Sequence, residues 1–295
     1  MKTYRKFLNF FMLSLSTFMA VYGIFWLFWI LYSLFVNGFK YLKPELIYLD
    51  PTPTGVEGGG LRHAFVGHLI LTSLGTLIGV PIGIAAGIFF SEYARHSRLF
   101  VIFRQITDIM VSTPSIVIGA VVYALLVKPL GHFNGLAGAV ALALLMIPVI
   151  AITTDEMLKL VPQQMREAAY ALGAYQWQVI KSVILRAAKV GILTGVLLGV
   201  ARISGETAPL LFTSFNNAYM NLNLMKPMAS LTVTMFDYVM GPYQYWHEQA
   251  WAAAFVLTMG VLLLSITAKL VLHGNLLRPL TYIVRSFTRS KDKEE

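Results

Sequence analysis

Residues 201–213 read ARISGETAPLLFT and close a stretch (190–212) that is otherwise almost wholly apolar. Arg202 and Glu206 thus stand where such a stretch ordinarily places leucine. An arginine at the centre of a bilayer costs about 2.5–3.5 kcal/mol on insertion scales and more by other measures. Four residues apart on a helix, the two side chains are neighbours and can pair. Two uses follow. The pair is a neutral staple between helices, or it lines the way of a polar permeant. In the second case the guanidinium is a planar fork of donors matched to an oxyanion, held by Glu206 until the permeant competes. Pro209 lacks the N–H that would bond the carbonyl of Gly205, so the helix is expected to kink or unwind over 205–209. Irregular backbone at membrane depth is tolerated only inside protein or beside a water-filled cavity. Thr207 falls in the same turn.

These residues need a membrane scaffold, and the composition supplies one. Of 295 residues, 57% are hydrophobic and 13% charged, against about 25% charged in soluble domains. Apolar runs near the ~20 residues that cross a bilayer occur at about 7–36, 64–90, 101–127, 136–154, 190–212 and 250–272. The expected fold is an all-α membrane protein of six transmembrane helices forming one permease domain over 1–295. The first run follows Lys2, Arg5 and Lys6 but is too long for a signal-peptide core, so it reads as an uncleaved anchor. With six spans, one side carries only Lys40, Lys43, Arg62, Lys128 and Lys226; the remaining Lys and Arg, Arg202 aside, fall on the other side. The positive-inside rule then makes both termini cytoplasmic. The same rule assigns the net charge of +9 to membrane flanks rather than to nucleic acid. There is no cysteine, which excludes disulfides and thiol chemistry.

Glycine spacing says how the spans pack. Gly75, Gly79, Gly83 and Gly87 recur every four residues in the second span, and Gly191, Gly195 and Gly199 do so in the fifth. Residues i and i+4 stack on one helix face, and small residues there let two backbones approach closely. Arg202 lies roughly 60° from the line through Gly199 and Glu206 roughly 20° from it. Both charges are therefore expected on or beside the packed face. The rise from Gly191, roughly 16 Å, puts Arg202 near mid-membrane. The external loops 37–63 and 214–249 differ. The first is rich in Pro and Gly and reads as a flexible connector; the second carries Tyr238, Tyr243, Tyr245 and Trp246, suited to a membrane interface. Residues 278–295 read as a short, charged, solvated tail.

The segment 155–189 is the one sizeable cytoplasmic loop. Pro162 fits the first turn of a helix and Gly173 a break, after which a second helix carries Trp177, Ile180 and Ile184 back to the membrane. A short amphipathic helix of this kind suits a partner's groove. Within it, Glu167, Ala168, Ala169 and Gly173, with Val183 and Leu185 beyond, resemble the E-A-A loop of binding-protein-dependent ABC importer permeases; Arg186 stands where the wider superfamily has proline. "GVPIGIAAGIFFSEYA", "STPSIVIGAVVYALLV", "TTDEML" and "ARISGETAPLLFT" look like the phosphate-importer permeases, the PstA family and its paralogue PstC, with the last stretch favouring PstA.

The resemblance implies a type I ABC importer permease fold in the bacterial inner membrane. It also implies partners: a second, PstC-like permease as heterodimer, a PstB-like ATPase dimer, and a PstS-like periplasmic protein that delivers phosphate. Glu167, Ala168, Ala169 and Gly173 would couple to the ATPase, and Arg202 and Glu206 match the family's charged intramembrane positions. No G-x4-G-K-[ST] phosphate loop is present, so ATP hydrolysis is not expected of this chain. It is expected to be no enzyme and to hold no cofactor or metal of its own, ATP and Mg2+ belonging to the partner. The histidines read as interfacial, and Arg104 and Asp108 as an i, i+4 pair at a helix entrance. The same machine for another oxyanion (phosphonate, sulfate, molybdate) and a self-sufficient secondary anion carrier are the alternatives.

Overall fold

The computed structural model describes the backbone of residues 2–93 and 98–291, with side chains described for 4–93, 101–267, 269 and 270. In chain order the helices are α1 (Lys2–Lys40), α2 (Glu45–Tyr48), α3 (Arg62–Ile88), α4 (Arg98–Ser112), α5 (Ser115–Val122), α6 (Lys128–Leu130), α7 (Gly135–Lys159), α8 (Gln163–Ala171), α9 (Gln176–Val179), α10 (Leu185–Ser204), α11 (Ala208–Leu211), α12 (Leu231–Met240) and α13 (Gln244–Lys291). Single π-helical turns join α3 to its end at Tyr93, α5 to α6, and α9 to α10. Among the described residues there is no strand.

Five segments are long and apolar enough to cross a membrane: Tyr4–Lys40, Arg62–Tyr93, Gly135–Lys159, Gln176–Ser204 and Gln244–Thr267. The sixth, expected over 101–127, is divided in two. It is a pair, Val101–Ser112 and Ser115–Leu130, bent by 107°. The cause is local. Pro114 takes ψ 136° and has no N–H to continue the ladder. Just before it, Ser112 and Thr113 donate their hydroxyls back to the carbonyls of Asp108 and Ile109, each at 2.7 Å, an arrangement that bends helices. Two other boundaries also differ from expectation. Residues 155–159 belong to α7 rather than to the loop, and the helix assigned to 190–212 starts at Gln176 and stops at Ser204. The expected solvated tail falls where side chains are not described; the backbone there is helical to Lys291.

α7 is the centre of the fold. Its Leu142, Leu145, Met146 and Ile150 are buried with Leu71 of α3, Ile203 of α10, Leu210 of α11 and Val233 of α12. The α3 glycines make the approach possible. A Cβ built on Gly75, Gly83 or Gly87 would lie 2.9, 2.8 or 2.5 Å from the Cβ of Leu142, Ile150 or Thr154. The ridge of one helix thus fits an i, i+4 row of the other, and any side chain larger than hydrogen would force them apart. On the opposite flank of α7, a Cβ at Gly195 would meet Thr153 Cγ2 at 2.5 Å and one at Gly199 would meet Met146 Cε at 3.1 Å. Met146 is therefore gripped between glycine faces of α3 and α10. By contrast α1 stands apart, exposed over residues 4–32. It touches α13 near its end, where Gly38 abuts Phe255 and Trp251.

Candidate functional site

The last turn of α10 carries Arg202, and the helix ends two residues later. Gly205 N–H bonds the carbonyl of Arg202 at 3.1 Å and Glu206 N–H that of Ile203 at 3.3 Å, after which the chain leaves the helix. Thr207 opens α11, and Pro209 sits within that short helix and is buried. The break is braced from two sides. Thr232 of α12 donates its hydroxyl to the carbonyl of Glu206 at 2.9 Å. Gly119 of α5 lies against Pro209 so closely that a Cβ there would come within 2.6 Å of Pro209 Cα. The bent helix pair and the broken α10–α11 helix therefore meet backbone to backbone, which is how irregular backbone is sheltered at depth.

Arg202 Nε lies 3.9 Å from Glu206 Oε1, with 40% of the arginine and 18% of the glutamate side chain exposed. Among the described residues no hydrogen bond holds the guanidinium. The contact with Glu206 is a loose Coulombic one. Glycines 191, 195 and 199 face α7; Arg202 stands at the edge of that face, on the surface of the isolated subunit. Ala201 and Ser204, on the far side of α10, line a mostly apolar groove of about 620 Å3 with His68, Thr72, Ser73 and Thr76, and Arg202 is not in it. Thr207 lines a separate groove of about 630 Å3 with Thr232, Met235 and Trp251. Arg202, Gly205 and Glu206 thus sit together at the helix end, Pro209 packs against Gly119 of α5, and Thr207 lines a groove that does not include Arg202.

The loop 160–175 forms a helix and a turn. Pro162 precedes α8. Gly173 takes φ +80°, a left-handed conformation that glycine adopts without a steric cost, and its N–H caps the carbonyl of Tyr170 at 2.9 Å. Glu167, Ala168 and Trp177 are exposed and Ala169 half-buried. Ile180 and Ile184 pack with Leu158, Val179 and Ile192 into a separate core under the loop. Arg186, where the wider superfamily has proline, is exposed in the first turn of α10 and lets the helix run on unbroken. In the segment 231–246, Tyr238 stacks on Trp246 at 4.9 Å. Burial, with Tyr245 and Asp237 nearby, pushes the Tyr238 phenol up to about 12, so it stays neutral at any physiological pH.

Two ion pairs lie beyond the reach of sequence spacing. Arg104 does contact Asp108 at 3.4 Å, but its shorter bond, 2.8 Å, goes to Asp155 of α7. Asp155 is wholly buried and also takes Lys159 at 2.6 Å. Further along, Arg166 of α8 reaches Glu92 at 2.5 Å, with 8% and 7% of the side chains exposed. Asp155 pairs across 51 residues and Glu92 across 74, so no local pattern announces either.

Residues 79–274 match the family described as binding-protein-dependent transport system inner membrane component. The chain is also 50% identical over 267 residues to a protein of Haemophilus influenzae named phosphate transport system permease protein PstA, covering 90% of this chain and 94% of that one. The chain belongs to the PstA family of these permeases. PstA of Yersinia pestis is 45% identical, covering 92% of each chain, and a protein of Methanocaldococcus jannaschii named as a probable PstA is 35% identical, covering 90% and 93%. Among solved structures, the inward-facing MetNI methionine ABC transporter superposes with a TM-score of 0.60 at 18% identity, over 72% of this chain and 95% of that one. An amino acid ABC transporter crystallised with histidines gives 0.56 at 20% identity, over 72% and 92%. The fold is that of an ABC importer permease, in a multi-pass membrane protein.

Proposed function

We propose that this chain is the membrane subunit that forms half the path of an ATP-driven importer of inorganic phosphate in the bacterial inner membrane. The observation that carries the reading is the Arg202 guanidinium. It is loosely held by Glu206 at 3.9 Å and 40% exposed, at the end of a helix broken beside a second broken helix, in a chain half identical to a phosphate permease. A fork of donors that no hydrogen bond holds among the described residues matches a tetrahedral oxyanion, which can take two of them at once. Glu206 keeps net charge near neutral while the path is empty and yields as the anion arrives.

The rest of the machine is supplied in trans. A PstC-like permease completes the path, a PstB-like dimer binds ATP and Mg2+ and hydrolyses it, and a PstS-like protein hands phosphate over from outside. The chain itself needs no cofactor. Glu167 and Ala168, exposed on α8, present the docking face, and α8 passes the closing of the ATPase to α3, α7 and α10. Access to Arg202 then alternates between the two sides. The test is ATP-dependent uptake of labelled phosphate into vesicles holding the four co-expressed proteins, with unlabelled phosphonate, sulfate and molybdate as competitors. Phosphate is expected to compete and the others not. Flux that persists without the ATPase would instead make the chain a secondary carrier.

A further inference from the structure

α8 is a docking helix with very little holding it to the body it must move. Of its nine residues Arg166 alone is buried, and the helix packs chiefly on α9 and the turn that follows. Arg166 makes good the deficit. Its Nη1 donates to Glu92 Oε2 at 2.5 Å and its Nη2 to the carbonyl of Leu158 at 2.7 Å. Glu92 sits in the π-helical turn that ends the α3 segment. It is fixed by Ser91, whose hydroxyl donates to Oε1 at 2.8 Å, and its own carbonyl takes Gln176 Nε2 at 3.3 Å. One guanidinium therefore joins α8 to the ends of α3 and α7, the two helices that glycine packing locks into a block. Removing water from such a pair makes its geometry stiff, because either partner alone would leave an unpaired buried charge.

We infer that Arg166, bridging Glu92 and the Leu158 carbonyl, is the joint through which movement of α8 reaches α3 and α7, and that these parts move as one rigid piece. This rests on α8 being the ATPase-coupling helix. Arg166 is a positioning residue. Its neighbour Glu167 points outward and serves the partner. A lysine cannot replace it, since a single ammonium lacks the planar fork that reaches two acceptors on different helices.

The test uses the assembled four-protein complex in vesicles and reads phosphate taken up per ATP hydrolysed, with copurification of the ATPase measured in parallel. Arg166→Gln and Glu92→Gln are each expected to keep the ATPase bound and to lower the ratio roughly three- to tenfold, with the double variant no worse than either single one, as members of one network behave. The chain has no cysteine, so Glu92→Cys with Arg166→Cys places the only thiol pair in this subunit. Reduced, that variant should be uncoupled like Arg166→Gln; joined by a short bifunctional thiol reagent, it should recover the ratio. An unchanged ratio in Arg166→Gln would overturn the joint, and so would crosslinking that lowers transport further, because α8 would then have to slide against α3. A charge reversal at Glu167 separates the underlying reading. If it leaves docking and coupling intact, α8 is not the coupling helix at all, whatever Arg166 does.

Discussion

A charged side chain is retained inside an apolar helix only where its use outweighs its insertion cost, and for Arg202 the geometry narrows what that use is. A staple would close the ion pair and bury it; this pair is open at 3.9 Å and the arginine is 40% exposed. Arg202→Ala is therefore expected to leave assembly intact and to lower phosphate uptake roughly ten- to hundredfold, the scale of about 1.5–3 kcal/mol for a hydrogen bond to a charged group. Arg202→Lys should fall between, keeping the charge but losing the fork. Vesicle uptake with copurification of the partners checks both, and wild-type uptake by Arg202→Ala would remove the anion role. Arg202, Glu206 and Pro209 were legible in the sequence because each violates the apolar pattern around it. Asp155 and Glu92 were not: their partners lie 51 and 74 residues away, and charges near a membrane edge look like ordinary flanks until the fold brings them together.

At the scale of elements, the glycine row of α3 makes a claim that substitution can check. Gly83→Leu would place its Cβ 2.8 Å from that of Ile150, and overpacking of a close helix contact costs about 1–3 kcal/mol. The variant should melt lower in detergent and assemble poorly. Gly23→Ala, in α1 where nothing lies within 4 Å, is the matched control; it should melt as wild type or slightly higher, since alanine is favoured over glycine in a helix by about 0.5–1 kcal/mol. Equal effects at both positions would mean the i, i+4 row does not pack as described. Gly119→Val tests the other close contact. Its side chain would meet Pro209 backbone, and it should impair uptake by displacing α5 from the α10–α11 break. This contact also marks the limit of span-by-span reading. Hydropathy over 101–127 is satisfied equally by a straight helix and by two halves meeting at 107°. Proline predicts a break but not its angle, nor that α5 packs on a helix about ninety residues further on.

For the whole molecule, orientation in the bilayer is argued from charge. Basic residues are resisted by translocation, so the side rich in Lys and Arg stays cytoplasmic. On that rule 160–175 with α8 is expected inside, together with both ends of the chain, and loops 41–61 and 214–230 are expected outside. The absence of cysteine makes this directly readable with a membrane-impermeant maleimide on intact cells. Val56→Cys and Tyr219→Cys, at positions 52% and 81% exposed, should label from outside. Leu160→Cys, 72% exposed at the junction of α7 and α8, should label only after the membrane is opened. The reverse pattern would set Glu167, Arg166 and Glu92 on the side away from ATP, and no joint between α8 and α3 could then transmit the work of a cytoplasmic ATPase. Orientation and coupling therefore stand or fall together.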